Sequence, residues 1–292
     1  MDRASIVRQK LALLDSWLVS VLVLAGIGLL TGLTTVLFGF GGGFVTVPVI
    51  VWADARLGAD AAHVAVATSA VVMIFNACVA TVATDRAVLN LLRRSTPLLA
   101  LLAVGGAIGA LASRWTPAFV TQWAFIAYLV ATIVDVLVRP GFLHRRAESA
   151  VTGSGRRGET GRIRAALGIP IGATASFLGV GGSVMTVPLL RRLGHDMRTA
   201  TTLANPLTLA VATPALVLFG TENAGSPASA GVFLYGPVDL GAAAVLLAGA
   251  LPVIVVMRRR PPRVSDRLHA WSYLALLILV TATMAGLSLD DA

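Results

Sequence analysis

Nine apolar stretches punctuate the chain, at 17–38, 44–52, 62–84, 96–113, 118–138, 165–190, 199–219, 238–257 and 269–288. Most come close to the roughly 20 apolar residues that a helix needs to cross a bilayer. Stretch 44–52 is too short to span, and 165–190 is interrupted in its middle by Gly-Val-Gly-Gly-Ser at 179–183. The pattern predicts an all-α polytopic membrane protein with about 7–8 transmembrane helices and glycine-broken, re-entrant segments. Between 139 and 164 the chain turns polar, glycine-containing and rich in arginine. Three parts follow: a first transmembrane repeat over 1–138, a cytoplasmic arginine-rich linker over 139–164, and a second transmembrane repeat over 165–292.

The halves repeat each other. A displacement of 140 residues lays Gly32 on Gly172, Thr34 on Thr174 and Gly39 on Gly179. Gly41, Gly42, Thr46, Val47 and Pro48 then fall on Gly181, Gly182, Thr186, Val187 and Pro188. Further along, a displacement of 134 lays "AVATSA" from Ala65 over "TATTLA" from Thr199, a looser match. Self-similarity at a fixed offset marks a structural repeat.

Charge orients the chain, because cytoplasmic loops hold most of the Lys and Arg. The expected arrangement has the N-terminus inside, 17–38 spanning as a retained helix, and 44–52 re-entrant. In it, 165–190 is a hairpin that enters and leaves on the inside. Every basic residue except Arg56 and Arg114 then faces the cytoplasm. A single crossing at 165–190 puts Arg258, Arg259, Arg260, Arg263 and Arg267 on the other side. Seven spans plus hairpins are therefore expected, with eight simple spans as the alternative. The hairpin reading inserts the second repeat from the side opposite to the first. Inverted repeats with interrupted helices are a recurring transporter design, with the site near the midplane.

A backbone break at membrane depth must face protein or a water-filled cavity. In "GFGGGF", from Gly39, successive glycine amides can turn towards one spot. The chain then resumes as a short helix, with Thr46 and Thr186 placed as N-caps and Pro48 and Pro188 in the first turn. Two helix N-termini facing each other present free N–H donors and partial positive charge to a small oxyanion. Thr68 and Ser69 in "VATSAVVMIFN", and Thr202 in "TATTLANP", are candidates to complete the shell; Asn76 and Asn205 are weaker ones. The bland reading of such hydroxyls is a bond to their own helix carbonyls. Gly105, Gly106 and Gly109 read as helix-packing glycines.

Composition adds exclusions. The chain is 57% hydrophobic and 13% charged, against roughly 25% charged in soluble domains. The net charge of +9 sits between apolar runs, where topology accounts for it, so no nucleic-acid partner is expected. Cys78 is the single cysteine and is expected as a buried thiol. Asp135 reads as the interfacial partner of Arg139, and His63, His195 and Asp196 as interfacial residues. There is no paired-carboxylate site, triad, metal cluster or nucleotide loop, so neither an enzyme nor a cofactor is expected.

The duplicated glycine motif followed by proline resembles the TauE/SafE sulfite-exporter family, and the likeness covers nearly the whole chain. The family motif falls on Gly39, Gly41, Gly42, Gly43 and Pro48, and on Gly179, Gly181, Gly182 and Pro188. Ser183 stands where the family has a third glycine, and Ala67 where a glycine precedes Thr68 and Ser69. The resemblance implies export, or occasionally uptake, of sulfite or organosulfur anions across the cytoplasmic membrane. The partners are then a small anion and membrane lipid. The competing reading is a non-transporting membrane protein whose glycines only pack helices.

Overall fold

The computed structural model describes residues 3–53, 61–92, 96–139, 142, 167–220, 234–235, 237–260, 262 and 264–290. All of the linker beyond Arg139 except Phe142 lies outside them. The helices, in chain order, are α1 (Arg3–Phe38), α2 (Gly43–Ala53), α3 (Ala61–Val82), the short α4 (Arg86–Leu89), α5 (Thr96–Ser113) and α6 (Ala118–Val138). After the linker come α7 (Gly168–Phe177), α8 (Ser183–Arg192), α9 (Met197–Gly220), α10 (Leu240–Arg259) and α11 (Asp266–Asp290). A two-residue antiparallel pair, β1 (Leu234–Tyr235) with β2 (Val238–Asp239), precedes α10.

Among the described residues, seven helices are long and apolar enough to cross a membrane: α1 from Val21, α3 from His63, α5, α6, α9, α10, and α11 to Ser288. The chain is an integral multi-pass membrane protein. Its outer helices carry large exposed apolar side chains, Phe119 67% exposed on α6 and Leu279 62% on α11, which lipid covers. The span of α3 is 67% buried and that of α9 is 50%, against 33–39% for the others, so α3 and α9 form the centre. They run antiparallel, with His63 at the start of α3 against Phe219 at the end of α9.

The short helices explain themselves. α2 has 11 residues and α8 has 10, about half of a span. Each starts where the backbone leaves a left-handed turn. Gly39 and Gly41 have φ of +73° and +62°; Gly179 and Gly181 have +67° and +70°. Only glycine takes these values at no steric cost.

Close glycine contacts give the helix directions. An added Cβ at Gly28 would stand 2.5 Å from Leu246 O, and one at Gly32 2.5 Å from Ala250 O, so α1 and α10 run parallel. Added Cβ atoms at Gly105 and Gly109 would stand 2.2 Å and 2.0 Å from Ile169 O and Ala173 O, so α5 and α7 run parallel too. Gly105, Gly106 and Gly109 do serve helix packing. Each parallel pair joins one half of the chain to the other.

The bundle has one arginine-rich face, where α3, α6, α8 and α10 end and α9 and α11 begin. There Arg191 pairs with Asp266, and Arg192 Nη2 stands 2.5 Å from Asp135 Oδ2. Asp135 also meets Arg139 at 3.1 Å, the expected partner. The end of α1 lies on this face as well, since Val36 and Leu37 line a cavity with Asp85, Arg198 and Arg258. This corrects the orientation expected from charge. The 36 residues of α1 rise about 54 Å, so its basic start lies towards the far face rather than among the other arginines.

Candidate functional site

The two glycine breaks lie against one another between α3 and α9. An added Cβ at Gly43 would stand 2.6 Å from Gly179 O and 2.3 Å from Met73 Sδ. Gly41 and Gly181 face the same two side chains, with Thr208 Cγ2 at 2.9 Å and 3.0 Å from their added Cβ atoms and Met73 beside both. Gly39 abuts Thr201 O and Ala204; Gly179 abuts Val66 and Ser69. Glycines 140 apart thus meet partners 135 apart: Val66 with Thr201, Ser69 with Ala204, and Met73 with Thr208. This replaces the displacement of 134, which sequence similarity alone had favoured for the flanking helices.

Both short helices point their N-termini into this junction. Among the described residues, no acceptor pairs with the N–H groups of Phe40, Gly41, Gly42, Gly43 and Phe44, or of Gly181, Gly182, Ser183, Val184 and Met185. Nearly all of these positions are buried. Several buried side-chain atoms nearby also lack partners: Thr31 Oγ1, both amide atoms of Asn76, Ser183 Oγ, Thr186 Oγ1 and Thr208 Oγ1. Asn76 Nδ2 lies 2.7 Å from an added Cβ at Gly42, and Thr31 Cγ2 lies 2.5 Å from it. Buried polar groups in folded proteins are almost always paired, and leaving one unpaired costs about 1–3 kcal/mol. The junction therefore concentrates unpaired backbone donors and unpaired side-chain polar atoms in one buried place.

The candidate residues fall into two groups. Gly39, Gly41, Gly42, Gly43, Gly179, Gly181, Gly182, Ser183 and Thr186 surround the junction. Ser69 sits at its edge, donating to Gly179 O at 2.9 Å. Thr68 and Thr202 lie apart from it. Thr68 Oγ1 accepts from Asp239 N–H at 2.9 Å, which ties α3 to the start of α10. Thr202 accepts from Arg258 Nη1 at 3.1 Å in the cavity on the arginine-rich face.

The expected caps are corrected. Helix α2 begins at Gly43 and α8 at Ser183, so Thr46 and Thr186 lie one turn inside. Thr46 Oγ1 donates back to Gly42 O at 2.8 Å. Pro48 and Pro188 lie within the helices. Proline removes a donor there, and the carbonyl that Pro188 deprives, Val184 O, accepts instead from the buried Tyr273 hydroxyl at 2.9 Å. Cys78 is exposed, not buried. Its place near the end of α3 turns it away from the bundle.

The two breaks differ at Gly43 and Ser183: an added Cβ at Gly43 would meet Met73, whereas Ser183 carries its Cβ fully buried with an unpartnered hydroxyl. Among the described residues, the atoms that crowd the junction glycines all belong to uncharged residues. Asp239 caps α10 through Ala242 N–H at 3.0 Å, and burial raises its pKa against the opposing pull of that N–H. Among the described residues no group of His, Cys, Asp or Glu could hold a metal. Sequence reasoning missed Thr31 and Thr208, and gave Asn76 little weight. Their signal was a polar residue in an otherwise apolar helix, the same signal that Thr68 and Thr202 give.

A family model described as sulfite exporter TauE/SafE matches residues 24–284. No curated protein and no solved structure matches the chain.

Proposed function

Since the chain belongs to the sulfite exporter TauE/SafE family, we propose that it is a secondary carrier for sulfite or a related small organosulfur anion, with the cargo held where the glycine breaks meet. The observation that carries this reading is the pair of unpaired N–H runs at Phe40–Phe44 and Gly181–Met185. Helix N-termini favour negative charge by about 0.3–1 kcal/mol each, and by up to about 2 kcal/mol when partly buried. Two ends, with Asn76, Ser183, Thr186 and Thr208 beside them, hold an oxyanion without a buried lysine and still release it.

On this reading the two halves are inverted repeats. The first hairpin, α1 with α2, enters from the far face and turns back at Gly39–Gly42. The second, α7 with α8, enters from the arginine-rich face and turns back at Gly179–Gly182. Alternating access is then a shift of population between states open to either face. Taking the arginine-rich face as cytoplasmic, the membrane potential favours anion exit, which supports export. The alternative, glycines that only pack helices, suits Gly105 and Gly109 but leaves both runs of N–H groups unexplained.

The test is sulfite flux in proteoliposomes with the Gly42→Val variant beside wild type. The variant inserts and reaches the membrane but moves no sulfite. Wild-type flux in that variant would sink the proposed site. A binding panel of sulfite, sulfate, thiosulfate, sulfoacetate, taurine and acetate names the cargo. The true ligand at about 100 times its Kd stabilises the fold by about 2.7 kcal/mol.

A further inference from the structure

A second polar space lies apart from the glycine junction, on the arginine-rich face. It is a cavity of about 200 Å³ between the ends of α1, α3 and α10 and the starts of α9 and α11. A single water needs about 10–15 Å³ of such space, so the cavity holds a small solute with its hydration. Its charged lining is Arg198 and Arg258 against Asp85, with His269 also present. Asp85 is already engaged, its Oδ1 accepting from Ala87 N–H at 2.9 Å to cap α4.

Arg258 is the informative residue. Its Nη1 donates to Thr202 Oγ1 at 3.1 Å, which fixes the plane of the guanidinium. Its Nε and Nη2 are buried and have no partner. Those two nitrogens form one edge of the guanidinium, the edge that offers two parallel N–H bonds. Such a fork matches an O–X–O edge of a carboxylate, sulfur oxyanion or phosphate. Thr201 lies between the two places, lining the cavity while its O abuts Gly39.

We propose that Arg258, held by Thr202 and assisted by Arg198, forms a second anion site at the arginine-rich mouth, where an oxyanion is captured by its two-oxygen edge before it reaches the glycine junction. The capture itself stands on Arg258 alone; its place on the path rests on the carrier reading above. The mouth prefers anions with an O–X–O edge over chloride, which presents no such edge. Thr202 is then a positioning residue.

The experiment is equilibrium binding of sulfite, with chloride as control, to the purified full chain at matched ionic strength. Wild type binds two sulfites per chain. Arg258→Gln binds one, its affinity for the other anion falling by about 10-fold to 100-fold, as expected for the loss of charged hydrogen bonds. Arg258→Lys keeps the charge and loses the preference for sulfite over chloride. Thr202→Val, a gentler change, weakens sulfite less than Arg258→Gln does. Gly42→Val loses the junction site and keeps the mouth site. Wild-type stoichiometry and selectivity in both Arg258 variants would overturn the mouth site while leaving the junction intact. One sulfite per chain in wild type, lost in Gly42→Val, would overturn it as well. Retention of one site in Gly42→Val with no flux supports the mouth site and separates it from the carrier reading.

Discussion

Replacing Gly42 and Gly182 by alanine, one at a time, perturbs positions that the repeat makes equivalent and the structure makes different. Gly42 has φ of +95°, while Gly182 has −69°. An alanine in the left-handed region costs about 1–2 kcal/mol. Its Cβ at position 42 would also stand 2.5 Å from Thr31 Cγ2 and 2.7 Å from Asn76 Nδ2, two buried side chains with little room to retreat. Overpacking of that kind adds about 1–3 kcal/mol. The sum is a loss of about 2–5 kcal/mol. At position 182 the nearest atom to the added Cβ is Val211 Cγ2 at 3.4 Å, an ordinary contact. Alanine there restricts the unfolded chain and stabilises by about 0.4–1 kcal/mol. Thermal unfolding of both variants in one detergent reads the difference. At about 2 °C per kcal/mol for a chain of this size, Gly42→Ala melts at least ~5 °C below Gly182→Ala. Sulfite flux falls in the first, through displacement of Asn76, and survives in the second. Melting temperatures within about 1 °C of each other would refute the strain and crowding argued for Gly42.

Three further substitutions probe what holds the junction in place. Tyr273→Phe leaves Val184 O buried without its donor, costing about 1–3 kcal/mol; in a Pro188→Ala background, which restores a backbone N–H, the same change costs less, as a double-mutant cycle of unfolding measures. Asp266→Asn leaves Arg191, whose side chain is 1% exposed, without its charge partner. The loss is about 2 kcal/mol, below the usual buried-pair range because Asp266 is 39% exposed, and the melting temperature reports it. Gly109→Ala would press a Cβ within 2.0 Å of Ala173 O and destabilises the α5–α7 contact by about 1–3 kcal/mol. The control Gly26→Ala, with nothing within 4 Å of its Cβ, is neutral or slightly stabilising in the same unfolding assay.

The span count was legible because lipid imposes it: seven stretches are long and apolar enough, and 44–52 and the two halves of 165–190 are not. The glycine breaks were legible because positive φ leaves few residue choices, so Gly39, Gly41, Gly179 and Gly181 repeat at a fixed offset. The direction of α1 was not legible. Positive charge reports which loops stay inside, and it misled at Arg3, Arg8 and Lys10 because α1 pairs in parallel with α10, a contact between distant parts of the chain. The places of Thr68 and Thr202, apart from the junction, were not legible for a related reason. A hydroxyl in an apolar helix announces a partner but not which one, and their partners, Asp239 N–H and Arg258, come from sequence more than 50 residues away.

The displacement of 135 between the partners of the two breaks shows where the halves have diverged. At three equivalent positions one half is polar and the other apolar: Asn76 matches Val211, Met73 matches Thr208, and Ser69 matches Ala204. Backbone geometry is duplicated at Gly39 with Gly179 and at Gly41 with Gly181, though not at Gly42 with Gly182, and side-chain donors are not duplicated. A symmetric site would offer the same donors from both sides and suit a cargo with equivalent ends. This one sets Asn76 and Thr31 beside the first break and Ser183 beside the second, where Thr186 also keeps its hydroxyl free while its counterpart Thr46 donates to Gly42 O. Asymmetric donors around a pseudo-symmetric pair of helix ends fit an anion with one charged head and a different remainder, such as an organosulfonate, at least as well as sulfite. The asymmetry also ties the consequences of mutation to one side. Asn76→Leu, which removes the carboxamide beside Gly42, should change which sulfur anion stabilises the protein, whereas Val211→Leu at the equivalent place should not. The same shift of ligand preference in both variants would mean that the two sides act alike, against the reading of divergence.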